Sequence, residues 1–430
     1  MPMVIPLERS THIDTERLEL VVKKLMERHE ALRTTFLTIN EEPVQKVHQI
    51  LDIPFTIDIY QVEASQEKET IENYTRPFDL GRVPLFRAAY LEIATGQRII
   101  LLDIHHILTD GASIDILQQE LFALDAGEKL APLRIQYKDY AHWHENSEEI
   151  KKQLKTQEQY WLKEFSGEIS LLNLPTDYPR TNEMHFIGES ISFTIHRELT
   201  AKLRELASQS NVTMTMLLMS VFKLLLVKYS SQKEIIVGTV IAGRRHADLE
   251  NVIGFFVNML AIKTAAAENQ RFSTFLLQVK EKTVNAYENQ DYQFEELVSK
   301  LPIPREPGRH PLVDTVFVFH EMGERGKIPG TMNNDSENRP ENQNINYNSI
   351  SHFDLMLHIT DYMDSLWASL EFSTDLFKKS TVTVLSNFYT DILKQVVENP
   401  GIKLEDVRMD LNLLTANSHI IHEEKEDWGL

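Results

Sequence analysis

Residues 103 to 113 read DIHHILTDGAS, and this stretch decides how the rest of the chain is read. It follows RIILLDI, residues 98 to 104, whose near-continuous isoleucine and leucine content is that of a central strand buried on both faces. Beyond Gly111, Ser113 is placed to cap a helix whose Ile114, Leu117, Leu121 and Leu124 form one apolar face. His105 and His106 therefore stand in a strand-to-helix loop, where rigid elements present functional groups. At the mouth of a buried strand His106 is partly desolvated, stays neutral near pH 7 and can accept a proton. Asp110, if buried, needs a cation or several N–H donors, and Arg28 or Arg33 is the expected source of that charge. Gly111 permits a backbone conformation, or a close approach of substrate, that a side chain would block.

Other readings compete for this pattern. Metal binding suits His and Asp, but no third ligand follows at a recognisable spacing. A serine triad lacks its G-x-S-x-G elbow, and Ser113 is better used as a helix cap. Purely structural histidines remain open on the short motif alone.

The bulk numbers narrow the field. A chain of 430 residues, 42% hydrophobic, can bury one large core or two ordinary ones, since single cores stop growing at roughly 250 to 300 residues. Two lobes are expected. With 64 acidic against 44 basic residues the formal charge is -20, which repels phosphate backbones and anionic lipid, so neither nucleic acid nor membrane is expected as a partner. The absence of cysteine removes disulfides, thiolate metal sites and a cysteine nucleophile, and fits a reducing, cytoplasmic compartment. The apolar run at 212–229 contains Lys223 and falls short of the ~20 apolar residues that cross a bilayer, so it reads as a core helix.

Along the chain, Leu18, Val21, Leu25, His29 and Leu32 recur at helical spacing behind an Asp14/Thr15 capping pair, which makes His29 a satisfied core histidine. LNLPTDYPR reads as a crossover and sets a lobe boundary near residue 175, giving lobes 1–175 and 176–430. The second lobe resumes with the strand ESISFTI, helices near 198–209 and 212–230, the strand EIIVGTV, the run IGFFVNMLAI, and helices near 273–288 and 380–398. The polar segment 321–351 reads as a mobile loop or insertion, and HEEKED near the C-terminus as a solvated tail.

Seven ordered motifs then supply a context. RHEALRTTF (28–36), RPFDLGRVPLFRA (76–88), HHILTDG (105–111) and YKDYAHWH (137–144) in the first half are joined by three more in the second: GTVIAGRRHADLENVIGFFVN (238–258), NQDYQFEELVSKL (289–301) and RHPLVDTVF (309–317). Together they resemble the condensation domain of nonribosomal peptide synthetases, over nearly the whole chain.

That resemblance implies an α/β fold of two chloramphenicol acetyltransferase-like lobes, set as a V-shaped pseudodimer with an inter-lobe tunnel and His106 at its centre. It implies an acyltransferase of secondary metabolism and antibiotic biosynthesis that forms a peptide bond between a donor acyl or peptidyl thioester and an acceptor aminoacyl thioester. The chain itself binds no cofactor; both substrates arrive on the 4'-phosphopantetheine arms of upstream and downstream peptidyl carrier domains, served by an adenylation domain of the same assembly line. His106 is implied as catalytic, with His105, Asp110, Gly111, Arg28, Arg33, Trp161 and Asn258 in support. Trp161 reads equally as a core or rim aromatic. In IGFFVNM, the backbone is implied to floor the channel, Gly254 to admit close packing and Asn258 to bond to the main chain, while Phe255 and Phe256 read as a plain buried strand and the arginines of GRR, 243–245, as solvated charges.

The pattern also departs from the family. The usual first helix with a Ser-x-Ala-Gln-x-Arg signature is missing, so the chain reads as N-terminally truncated; His310 stands where the family typically has Asn and Gln293 where it has Pro. The cyclising branch is not matched, because both histidines are intact. QYKDYAHW, LNLPTDYPR and IGFFVN look more like the peptide-forming branch, of the subgroup with an L-configured donor. An epimerisation-type relative and a noncatalytic carrier-docking platform are the alternatives.

Overall fold

Strand β1 (Pro2–Leu7) lies antiparallel to a strand far along the chain, with Ile5 facing Ile100, and the intervening residues supply the helices that cover the sheet. The computed structural model describes residues 2–7, 14–321 and 350–410. Helix α1 (Thr15–Arg28) buries Leu18, Val21, Val22, Leu25 and Met26, the stripe set by its three- and four-residue spacing. Asp14 precedes it with extended backbone but makes no side-chain cap bond. The hairpin β2 (Thr34–Ile39) and β3 (Glu42–Val47) turns on Asn40 and Glu41, both at positive φ.

Strand β4 (Asp58–Val62) and helix α2 (Glu67–Tyr74) precede β5 (Phe86–Ile93) and β6 (Arg98–Ile104), which complete a four-stranded sheet in the order β1-β6-β5-β4. β6 explains its own sequence. Ile100, Leu102 and Ile104 face a core shared with α1 and the following helix, α3 (Gly111–Asp125), whereas Ile99 and Leu101 face a second core under α2. Both faces are dry, so the run is continuously apolar.

Helices α4 (Tyr137–Asn146) and α5 (Glu148–Glu164) follow, and the chain divides inside α5 into two compact units. The first takes residues up to Gln153 together with Ala242–Val257; the second starts at Leu154 and holds most of the rest. The packing thus divides ahead of the expected boundary near 175, and it assigns to the first unit a segment that lies deep in the second half of the sequence.

The second unit has a six-stranded sheet, built from β7 (Gly188–Ile195), then after α6 (Arg197–Gln209) and α7 (Met214–Ser230) from β8 (Glu234–Ile241) and β9 (Asn258–Ala265). Helices α8 (Phe272–Glu288) and α9 (Phe294–Lys300) lead to β10 (Thr315–Glu321), β11 (Leu355–Asp361), β12 (Leu366–Ser373) and α10 (Lys379–Glu398). The strand order is β7-β12-β11-β10-β8-β9. Helix α7, capped by Thr213, is apolar on nearly every side because it is buried on nearly every side, Lys223 included. Among the described residues no single helix is long and apolar enough to cross a membrane. Of the run IGFFVNMLAI only the part from Asn258 onward is strand; residues 253–257 are irregular chain packed in the first unit. The segment expected to be mobile lies almost entirely outside the described residues, and the acidic tail wholly so.

Candidate functional site

β6 ends at Ile104, and the chain turns at once. His105 Nδ1 accepts a hydrogen bond from the Ile107 amide at 3.1 Å, capping a single 3₁₀ turn, His106–Leu108. Burial lowers the His105 pKa and so favours the neutral ring that this acceptor role requires. Its ring meets Phe78 edge-on at 6.1 Å, which makes it a framework residue.

The turn brings the Thr109 carbonyl back onto His106, whose Nδ1 lies 2.8 Å from it. A carbonyl only accepts, so Nδ1 carries the hydrogen and, in the neutral ring, the lone pair is on Nε2. His106 is exposed, and its ring stands against Phe255 at 5.2 Å and 73°. The site therefore offers a base of fixed tautomer on an accessible face. Thr109 has no signal in sequence, because any residue supplies a carbonyl.

Asp110 is completely buried and caps α3, accepting from the Ser113 amide at 2.8 Å. The expected cap, Ser113, lies inside the helix instead, where its hydroxyl donates to the Gly254 carbonyl at 2.8 Å and accepts from the Gly254 amide at 3.1 Å. The cation beside Asp110 is neither Arg28 nor Arg33. It is Arg244, with Nη1 at 2.8 Å from one carboxylate oxygen and Nη2 at 2.9 Å from the other. The Phe256 amide adds a fourth donor at 3.0 Å. Arg244 is itself buried, its guanidinium 4.3 Å above the Phe256 ring, so the reading of these arginines as solvated charges fails at this position.

The two expected partners are engaged elsewhere. Arg28 Nε spans both oxygens of Glu120 at 3.0 Å, and His29 Nε2 meets the same carboxylate at 2.6 Å, so His29 is a core histidine as expected but satisfied at Nε2 alone, its buried Nδ1 having no hydrogen-bond partner among the described residues. Arg33 reaches the Met26 and His48 carbonyls at 3.2 and 2.7 Å, tying off the end of α1. Both arginines brace the first unit without touching the Asp110 carboxylate.

Gly111 begins α3 with ordinary φ, and a methyl group there would meet open space. No special backbone conformation requires glycine; only the close-approach reading remains for it. Gly254 differs, since a Cβ would stand 2.0 Å from the Tyr137 ring. Tyr137 in turn donates its hydroxyl to the Phe255 carbonyl at 2.8 Å, and burial pushes that hydroxyl up to about 12. Phe256 is buried against Tyr137 and Tyr140, whereas Phe255 is 40% exposed, so the expected buried strand holds for neither as a strand and for Phe255 not as burial.

Trp161 and Asn258 belong to the second unit. Trp161 is a core aromatic, stacked near Phe165, whose indole N–H donates to the Asn289 carbonyl at 2.8 Å. The Asn258 amide bonds to the main chain as expected: it donates to Gln290 and Tyr292 and accepts from Met259 and Phe294, at 2.8 to 3.1 Å. That staple fixes the start of β9 to the loop before α9. Among the described residues no group of three or more His, Asp or Glu is placed to hold a metal ion.

The chain has many relatives among known proteins. The family model described as Condensation domain matches residues 2–412. Tyrocidine synthase 3 of Brevibacillus parabrevis is 41% identical over 399 residues, 92% of this chain and 6% of that protein. Gramicidin S synthase 2 of Aneurinibacillus migulanus is 39% identical over 397 residues, 92% of this chain and 9% of that protein. The chain thus spans a small part of the curated relatives it matches. Among solved structures, the complex of the X-domain and OxyB from teicoplanin biosynthesis aligns with a TM-score of 0.82 at 22% identity, covering 95% of this chain and 90% of that one. The condensation domain from the monacolin K polyketide synthase MokA aligns with a TM-score of 0.79 at 16% identity, covering 94% and 93%.

Proposed function

The chain belongs to the condensation-domain family of nonribosomal peptide synthesis, and from that premise we propose that it catalyses amide-bond formation between two carrier-bound thioesters. The donor is an acyl or peptidyl thioester and the acceptor an aminoacyl thioester, each delivered on the 4'-phosphopantetheine arm of a separate carrier domain, with no cofactor resident on this chain. The donor is of the L-configured type, a reading supported by QYKDYAHW, LNLPTDYPR and IGFFVN.

The acceptor amine attacks the donor thioester carbonyl. A C–N bond forms, the C–S bond breaks, and one proton passes from nitrogen to the departing sulfur. His106 Nε2 takes that proton from the nitrogen of the tetrahedral intermediate and returns it to the thiolate. Strong activation is unnecessary, because a free α-amine titrates at about 7.7 to 8.0 and is partly neutral near pH 7. Positioning two tethered substrates is worth up to ~7 to 11 kcal/mol, more than the ~10²- to 10⁴-fold of a placed acid-base group. Asp110 takes no proton; with Arg244 it holds the turn that carries His106.

The observation that carries this reading is the Nδ1 contact of exposed His106 with the Thr109 carbonyl, which leaves Nε2 as the base. Its test supplies the protein with one carrier loaded with an L-aminoacyl donor and another with an aminoacyl acceptor, then weighs the acceptor arm by mass spectrometry. A dipeptide with retained configuration is expected. Inverted configuration without coupling assigns an epimerisation-type relative, and carrier binding without product assigns a docking platform.

A further inference from the structure

Three consecutive residues near His106 have their backbone polar groups held by side chains. The Gly254 amide and carbonyl are both held by the Ser113 hydroxyl, the Phe255 carbonyl by the Tyr137 hydroxyl, and the Phe256 amide by Asp110. So much fixation surrounds one side chain that does not bury itself. Phe256 carries the packing, 5% exposed, while Phe255 remains 40% exposed with its ring against His106 at 5.2 Å. Core formation accounts for Phe256 and leaves Phe255 without a reason.

His106 supplies one. An exposed histidine has a broad, roughly two-fold χ2 and changes rotamer on the picosecond-to-nanosecond scale unless it is restrained. A half-turn about χ2 would exchange the positions of the two ring edges and break the Nδ1 contact with Thr109. One hydrogen bond, at 2.8 Å, and one ring contact, at 73°, oppose that motion. The Phe255 ring stands edge-on to the imidazole at 73°, a contact that a turn of the imidazole would have to break.

We propose that Phe255, held in place by the Tyr137 hydroxyl, is a positioning residue that keeps the His106 imidazole in its catalytic orientation. Tyr137 acts on the reaction only through Phe255. Its ring also fills the space that Gly254 leaves by lacking a side chain, so the motif at 137–144 and the motif at 238–258 meet for this purpose. The inference rests on the catalytic reading of His106.

The test uses Tyr137→Phe, which removes the hydroxyl and keeps the ring, and Phe255→Leu, which keeps an apolar side chain and loses the ring contact. Tyr137→Phe keeps the ring that packs against Gly254 and Phe256, so the fold is retained while the bond to the Phe255 carbonyl is lost. Protein labelled with ¹⁵N-histidine gives the His106 ring signals, assigned by their loss in His106→Ala. In both variants these signals move from a single Nδ1–H tautomer toward an averaged pattern, while kcat for amide formation falls about 5- to 50-fold with KM for both carriers unchanged. Unchanged His106 signals, or changed signals with an unchanged kcat, overturn the inference. If the unsubstituted protein itself makes no amide, the functional reading fails instead, and the ring signals still decide whether Phe255 fixes the imidazole.

Discussion

Asp110 and Arg244, 134 residues apart in the chain, form a two-point ion pair with both side chains nearly or wholly out of water. Removing one partner leaves the other charged, buried and unpaired, which costs about 3 to 5 kcal/mol. Arg244→Ala is therefore expected to lower the urea midpoint of the first unit by a corresponding amount. Arg244→Lys restores the charge without the planar two-point fit and recovers only part of it. Circular dichroism during urea unfolding reads both.

Gly254 tests the packing around the same turn. Gly254→Ala puts a methyl group into the Tyr137 ring, and overpacking of this kind costs about 1 to 3 kcal/mol. Combining it with Tyr137→Leu is expected to cost less than the sum of the two single changes, because the smaller side chain relieves the clash. Additive costs in a double-mutant cycle would show that the two residues do not compete for this space.

Lys223 predicts a pH dependence of stability. Burial pushes its ammonium down to about 7 from an ordinary value of 10.5, and its Nζ meets the Ile235 and Ile262 carbonyls. Between those two values the unfolded chain binds a proton that the folded chain has released, so stability rises with pH across that window. The contribution approaches about 1.4 kcal/mol per pH unit. Lys223→Met is expected to remove this slope; identical slopes in the two proteins between pH 7 and 10 would exclude it.

Much of the fold and site was legible because the decisive signals are local. RIILLDI reads as a strand buried on both faces, and it is one, with alternate residues feeding two separate cores. The loop after it carries His105 and His106 as expected, and α6, α7, α8 and α10 fall within two residues of their expected limits. What sequence missed is long-range. Nothing near Asp110 announces that its cation lies 134 residues away, and the nearer arginines are taken by Glu120 and by the Met26 and His48 carbonyls. The glycine before Arg244 has its reason only in the structure: Gly243 sits at φ +64 with no room for a Cβ beside the Phe256 carbonyl. The apolar run at 253–257 resembled a strand because short apolar runs do not distinguish a strand from irregular chain covered by aromatic side chains.

The central claim is that His106 Nε2 moves the proton of amide formation. The most direct measurement is the single-turnover rate of dipeptide formation by His106→Ala, beside the unsubstituted protein, with both carriers loaded and carrier affinity measured in parallel. A fall of about 10²- to 10⁴-fold with carrier binding intact is predicted. An equal rate in the two proteins would contradict the claim.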